Sequence, residues 1–322
     1  MKIVFMGTPE FAVPCLQRLC RQGLRPIAVY SPPARPGGRG LRPLPPPVAR
    51  EAEALGLPLR QPEVLQRPSE LEALANLTPD LILTAAYGRI FRPRLLGLPR
   101  LGCFNLHPSL LPKLRGLSPI PCSILRGDVT TGVSLYRMVE RVDAGPIVAQ
   151  AEVAIEPRET GGALLRRLAE IGADLVTRAL PELETGKLPE RAQDEARATF
   201  APRLERGDGA LDWRLPAAQI ERVVRAFDPW PGTFTYLRHV RVKVLEVEPV
   251  DEMPRPHPPG TVLPMGGNEP PLVVTLPGAV RLQRVQPEGG RAQDGAAFCR
   301  GQRLREGERL AAAPSAGAAG DA

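Results

Sequence analysis

The sequence is short of acid where it is rich in base. No aspartate or glutamate falls between Glu10 and Glu51, a stretch with seven arginines, and none between Asp80 and Asp128, which holds six arginines and Lys113. A field of that sign attracts a polyanion such as RNA or a small acidic substrate; a merely solvated arginine-rich surface is the plainer alternative. Histidine is scarce, with only His107, His239 and His257. The five cysteines are odd in number and none has metal-type spacing, so neither a disulfide framework nor a zinc site is supported, no metal is expected, and buried reduced thiols are the reading. No apolar run reaches membrane-spanning length, and Lys2 leads into strand-like sequence without a signal-peptide pattern. A cytoplasmic protein with no membrane partner is expected. The first strand-to-helix turn lacks the Gly-x-Gly-x-x-Gly spacing, so a dinucleotide site is not indicated.

What is present suits two domains with real cores, since 322 residues at 43% hydrophobic content are ample. Lys2 to Met6 reads as a strand ending at Gly7, Thr8 as an N-cap and Pro9 as a first-turn proline, with Phe11, Cys15, Leu16 and Leu19 buried along a helix to about Gln22. That is the opening of a Rossmann-like fold. Pro26 to Tyr30 is a second strand, and Ser31 to Pro47 then breaks every regular pattern with seven prolines and three glycines. A loop that long inside a compact domain is functional or disordered. The run Asp80 to Ala85 reads as a parallel strand covered on both faces, with Ala86-Tyr87-Gly88 as its exit. A helix follows over Pro119 to Arg126, then strands over Thr131 to Met138 and Gly145 to Val153. A long amphipathic helix over Thr160 to Leu183 buries Leu164, Leu165, Leu168, Ile171 and Leu175. The pattern predicts an α/β fold: a Rossmann-like, mostly parallel sheet with helices on both faces over residues 1–185. Residues 186–206 read as a linker. Helix over Leu211 to Phe227 and then several short strands with Gly/Pro punctuation predict a small closed β-barrel over 207–312, ending in a disordered tail at 313–322.

The chemistry centres on Gly102 to Gly116, GCFNLHPSLLPKLRG. Phe104 and Leu106 alternate with Asn105 and His107, so a short buried strand sends the amide and imidazole to one face where it runs out into a loop. Open α/β sheets place their ligands at such strand ends. Asn105, His107 and the later Asp143, with no cysteine pair or second histidine nearby, suit proton handling and oxyanion stabilisation better than metal binding. Taken singly, His107 is read first as a hydrogen-bonded core residue, and Asp143 first as a turn residue.

These residues resemble the folate-dependent formyltransferases, whose Asn-x-His-x-Ser-Leu-Leu-Pro, later Arg-Gly and separate Asp mark the formyl-transfer site. Gly7-Thr8-Pro9-Glu10-Phe11-Ala12, Gly38-Arg39-Gly40, Ala86-Tyr87-Gly88, Asp143-Ala144-Gly145 and Ala226-Phe227-Asp228-Pro229-Trp230-Pro231 follow the order seen in the members that act on methionyl-tRNA. The resemblance implies 10-formyl-tetrahydrofolate as co-substrate, initiator methionyl-tRNA as partner, a monomer, and Asn105, His107 and Asp143 as catalytic residues. It also implies a folate site at Tyr87, Gly88, Ser109, Leu110, Leu111 and Pro112, and tRNA contact through Arg35, Arg39 and Arg42, with an OB-like barrel helping to hold the tRNA. The chain departs from the family at Ala34, Leu41 and Ala49 in the arginine loop and at Phe91-Arg92 after the strand exit. Three other readings share parts of the pattern: a formyltransferase for a small amine, a non-catalytic RNA-binding protein on this scaffold, and a hydrolase releasing formate.

Overall fold

A computed structural model describes residues 1–37, 42–250 and 257–313. The chain divides into two compact units, Met1–Pro119 with Val129–Ile155 and Ala163–Pro202, and Ile120–Asp128 with Glu156–Gly162 and Arg203–Ala322.

The first unit is built on a seven-stranded sheet in the order Ile147–Ala154, Thr130–Arg137, Cys103–His107, Leu81–Ala85, Ile3–Gly7, Ala28–Tyr30, Leu59–Arg60. The last five of these run parallel, and the first two form an antiparallel pair on the edge of Cys103–His107. This is the mostly parallel Rossmann-like sheet the sequence predicts. Ile3–Gly7 and Leu81–Ala85 are buried at every position, as continuous apolar runs in a doubly covered sheet must be. The register aligns three polar residues across neighbouring strands. Thr84 pairs with Asn105 on one side, and Tyr136 pairs with Asn105 on the other.

Several local expectations are corrected. Thr8 caps no helix: Pro9 stands at the cap of a single 3-10 turn, Glu10–Ala12, that feeds the helix Val13–Arg21, and the Thr8 hydroxyl donates instead to the Tyr87 carbonyl at 3.2 Å. Phe11, Cys15, Leu16 and Leu19 are buried as expected. In the helix Gly161–Thr185, Leu164, Leu168 and Leu175 are buried, whereas Leu165 and Ile171 are half-buried. The buried stripe runs through Gly172 instead, where a Cβ would stand 2.6 Å from Leu106 Cδ2, so the helix packs directly behind the Asn105–His107 strand. Of the cysteines only Cys15 and Cys103 are buried, and desolvation pushes their thiols up to about 12, which keeps them protonated and inert.

The proline-rich stretch is not patternless. Arg35–Gly37 and Arg42–Leu44 form an antiparallel ribbon with Pro36 opposite Pro43. Alternate pairs of an antiparallel ladder exchange no bonds, so two residues without N–H groups can face each other there at no loss. The 186–206 segment does more than connect. Arg191 and Ile147 exchange backbone hydrogen bonds at 2.8 Å, and Phe200–Ala201 pairs in parallel with Arg115–Gly116.

In the second unit, the helix expected over Leu211 to Phe227 is confined to Ala217–Ala226. The sheet runs Val262–Leu263, Leu272–Val274, Ala279–Pro287, Val240–Val250, Thr233–Leu237, Leu310–Ala311. Its two edges meet: Thr261 and Arg309 form an antiparallel bridge, with Val262 N–H donating to Glu308 at 2.7 Å and Leu310 N–H to Gly260 at 2.8 Å. Those bonds close the sheet into the expected barrel, whose interior holds Val242, Val244, Val262, Val273, Val280 and Leu282. A short helix, Gly295–Gly301, adds to the elements the sequence predicts; Asp294 caps it by accepting from Ala297 N–H at 2.7 Å. Residues 314–322, where most of the expected tail falls, lie outside the described residues.

Gly132 tests the tightness of the edge pair that carries Tyr136. A Cβ at Gly132 would stand 2.1 Å from the Ala151 carbonyl oxygen, a backbone atom that cannot move without parting the strands. Gly132→Ala is expected to cost about 2 kcal/mol or more in urea unfolding; a wild-type midpoint would contradict so close an approach.

Candidate active site

At the end of the parallel strands, three side chains stand in one row across the sheet and are tied together. The Thr84 hydroxyl donates to Asn105 Oδ1 at 2.6 Å, Asn105 Nδ2 donates to the Tyr136 hydroxyl at 3.3 Å, and that hydroxyl donates to Asp143 Oδ1 at 2.7 Å. Asp143 Oδ2 accepts from the Gly116 N–H at 2.7 Å. Asp143 adopts a left-handed backbone conformation, φ 51°, which Asp tolerates better than most residues. Its carboxylate is buried, at 8% exposure.

His107 follows Asn105 by two residues and emerges on the same face. Its Nε2 lies 2.9 Å from the Leu114 carbonyl. A carbonyl only accepts, so Nε2 carries the proton and Nδ1 is the basic nitrogen of the neutral ring. Nδ1 faces Asp143 Oδ2 at 3.7 Å, too far for a hydrogen bond but close enough for a carboxylate to stabilise the protonated ring. The Leu114 carbonyl, not Asp143, therefore sets the ring's orientation.

Asn105, His107, Tyr136 and Asp143 open onto one cavity of about 520 Å³. Its apolar rim carries Ile90, Leu117, Val139 and Val142, exposed by 68, 62, 39 and 54%. Tyr87 and Gly88 line the same cavity, though the Tyr87 ring is itself buried against Phe91 in an edge-to-face contact at 6.5 Å. Ser109, Leu110, Leu111 and Pro112 are not among the lining residues. Their loop packs beside the cavity, held by Ser134, the residue paired with His107 across the strands: Ser109 Oγ donates to the Lys113 carbonyl and Ser134 Oγ donates to the Ser109 carbonyl, each at 2.6 Å, while the Leu111 N–H donates to Ser134 Oγ at 3.0 Å. The loop holds the Leu114 carbonyl in place and does not itself face the cavity. Arg35 is exposed on the ribbon and does not line the cavity, Arg42 begins its second strand, and Arg39 lies outside the described residues. Among the described residues no group of three or more His, Cys, Asp or Glu side chains could hold a metal, and no helix is long and apolar enough to cross a membrane.

The formyl transferase family matches residues 1–180, and the formyl transferase C-terminal domain matches residues 203–303. A methionyl-tRNA formyltransferase from Roseiflexus castenholzii is 43% identical over 311 residues, covering 96% of this chain and 99% of that protein. One from Halorhodospira halophila is 44% identical over 309 residues, covering 95% and 98%. The chain belongs to the methionyl-tRNA formyltransferase family. Among solved structures, an N-formyltransferase from Helicobacter canadensis in complex with folinic acid and dTDP-3-aminofucose is similar at a TM-score of 0.63 and 16% identity, over 87% of this chain and 97% of that one. HypX from Aquifex aeolicus, in complex with tetrahydrofolic acid, is similar at 0.61 and 20%, over 95% of this chain and 48% of HypX. The formyltransferase chain thus spans about half of HypX. At these identities the two likenesses speak for the fold.

Sequence reasoning missed the support of this formyltransferase site. Gln193 Nε2 donates to the carbonyls of Asp143 and Gly145 at 2.8 and 2.7 Å, clamping the turn on both sides of Ala144. Its Oε1 accepts from Arg115 Nε and Nη2 at 3.0 and 2.8 Å. Arg115, only 1% exposed, also grips Glu195 through two bonds at 3.0 and 2.9 Å, and Arg141 pairs with the same carboxylate. A forked guanidinium suits such bidentate contact. The only sequence signal is that the stretch 186–206, which reads as a linker, carries polar residues with no evident partner.

The hydrogen bonds from Arg115, then those from Arg141 and the charge of both, hold Glu195 down from 4.5 to about 2. A depressed carboxylate stabilises the fold above its unfolded value and loses that contribution as the pH falls through its folded value. The stability advantage of wild type over Glu195→Gln should therefore be complete above about pH 4.5 and vanish as the pH falls towards 2. Chemical unfolding across that window checks it, and a constant difference would contradict the pairing.

Proposed function

We propose that the protein transfers the formyl group of 10-formyl-tetrahydrofolate to the α-amine of methionine carried by initiator methionyl-tRNA, acting as a cytoplasmic monomer. The observation that carries this reading is the convergence of an oriented amide N–H, a basic ring nitrogen and a buried carboxylate on one cavity, in a chain of this family.

The amine attacks the formyl carbon, the carbonyl electrons move onto oxygen, the bond from carbon to the folate nitrogen breaks, and one proton passes from the amine to that nitrogen. Asn105 has a second N–H beyond the one given to Tyr136, and it donates to the developing oxyanion; one such donor is worth about 3 kcal/mol. His107 takes the amine's proton at Nδ1, with Asp143 stabilising the imidazolium, and returns it to the leaving nitrogen. The cavity holds reactants in attacking geometry. Tyr87 and Gly88 border the folate; Ser109, Leu110, Leu111 and Pro112 serve the folate site indirectly, by fixing the loop. Arg35 and Arg42, which belong to the ribbon, together with Arg39, meet tRNA phosphates, for arginine's forked donors suit phosphate oxygens.

The test is formylation with 10-formyl-tetrahydrofolate of initiator methionyl-tRNA beside elongator methionyl-tRNA and a panel of small amines. Selective formylation of the initiator is expected, with kcat reduced by about 10² to 10³ in Asn105→Ala. Formylated small amines, or formate alone, would overturn the substrate assignment, and tRNA binding without formylation would overturn the enzyme.

A further inference from the structure

Tyr136 lies outside every motif that identifies the family, yet its hydroxyl joins the amide to the carboxylate. It is 3% exposed and lines the cavity. We propose that Tyr136 is a positioning residue that decides which way the Asn105 amide faces, so that an N–H and not the carbonyl oxygen is presented to the formyl group. The proposal rests on the formyl-transfer reading above.

Proton count decides the direction. A phenol has a single proton to give, and an ionised carboxylate can only accept, so the proton on Tyr136 goes to Asp143 Oδ1 at 2.7 Å. The phenol oxygen can then only accept, and its neighbour 3.3 Å away on Asn105 must be the nitrogen. Burial first, and then the charge and hydrogen bond of Asp143, push the phenol well above its ordinary value, so it remains a donor across the working pH range. Thr84 has no such authority. Its hydroxyl both gives and accepts, and Met138 Sδ stands 3.5 Å away as another acceptor for its proton. A reversed amide would still leave Thr84 with partners, Asn105 donating to Thr84 and Thr84 donating, more weakly, to sulfur. Only the hydroxyl of Tyr136 forbids the reversal, which would aim Oδ1 at the developing oxyanion.

Removing that hydroxyl lets the amide turn over, and the loss appears in the transition state rather than in binding. In Tyr136→Phe, kcat is expected to fall by about 10- to 100-fold with KM for the formyl donor within about twofold of wild type. Because Tyr136 acts through Asn105, adding Tyr136→Phe to Asn105→Ala should lower kcat no further, measured in single turnover. Thr84→Val, which leaves the direction-setting group in place, should cost less in kcat than Tyr136→Phe does. Three results overturn the proposal: kcat of Tyr136→Phe within twofold of wild type, an equal loss in the Asn105→Ala background, or a loss in Thr84→Val as large as that in Tyr136→Phe. Should Tyr136→Phe fail to fold by circular dichroism, wild-type protein with 3-fluorotyrosine at position 136 carries the test. Its more acidic phenol accepts more weakly from Asn105, so kcat falls while Tm is kept, and unchanged kcat contradicts the proposal. If wild type transfers no formyl group at all, the functional reading fails first and separately.

Discussion

The site depends on the carboxylate of Asp143 being an acceptor at both oxygens. One oxygen takes the Gly116 N–H and the other the Tyr136 hydroxyl, so a hydrogen-bond chain that begins at Thr84 has one permitted direction. An anion at the end of such a chain polarises every member of it, and in a buried setting the preference is stronger than in water. The same carboxylate lies 3.7 Å from the basic nitrogen of His107. The carboxylate at the end of the amide's hydrogen-bond chain is thus also the one the imidazole faces.

The fold exists around that residue in a legible way. Parallel pairing places Thr84 beside Asn105, and the antiparallel strand adds Tyr136 on the other side, so the row needs no adjustment beyond ordinary sheet register. Asp143 sits on the turn after that strand in a left-handed conformation, and such a conformation persists only where surroundings hold it. Gln193 supplies the hold on the backbone, and Arg115 with Glu195 holds Gln193. Arg115 is accordingly a buried structural cation and takes no part in the cavity, although its Arg-Gly pair belongs to the motif.

What the sequence made legible follows from locality. Asn105 and His107 share a strand, so their common face follows from period-two geometry, and the closed barrel of the second unit shows in its punctuated strands. Leu110 to Pro112 are assigned to the folate site through the family resemblance; the loop leaves them outside the cavity lining, with Leu111 buried against Tyr136 and Leu110 and Pro112 half-buried. Thr84, Tyr136 and Gln193 could not be read at all. Each is one polar side chain among ordinary neighbours: Thr84 and Tyr136 reach Asn105 across separations of 21 and 31, and Gln193 reaches the Asp143 carbonyl across 50. The Asp143 turn is interpretable only beside the family resemblance, since an aspartate framed by glycine and proline is ordinary turn chemistry.

The most direct measurement is steady-state formylation by Asp143→Asn. The substitution keeps shape but replaces one acceptor by a donor, so either the Gly116 N–H loses its acceptor or the Tyr136 hydroxyl must accept where it donated, which reverses the chain, and the charge facing His107 disappears. The expected result is a fall in kcat of at least about a hundredfold, with Tm and the KM for the formyl donor close to wild type. Wild-type kcat in a folded Asp143→Asn protein would contradict the account, because the hydrogen-bond chain would then have no bearing on the chemistry.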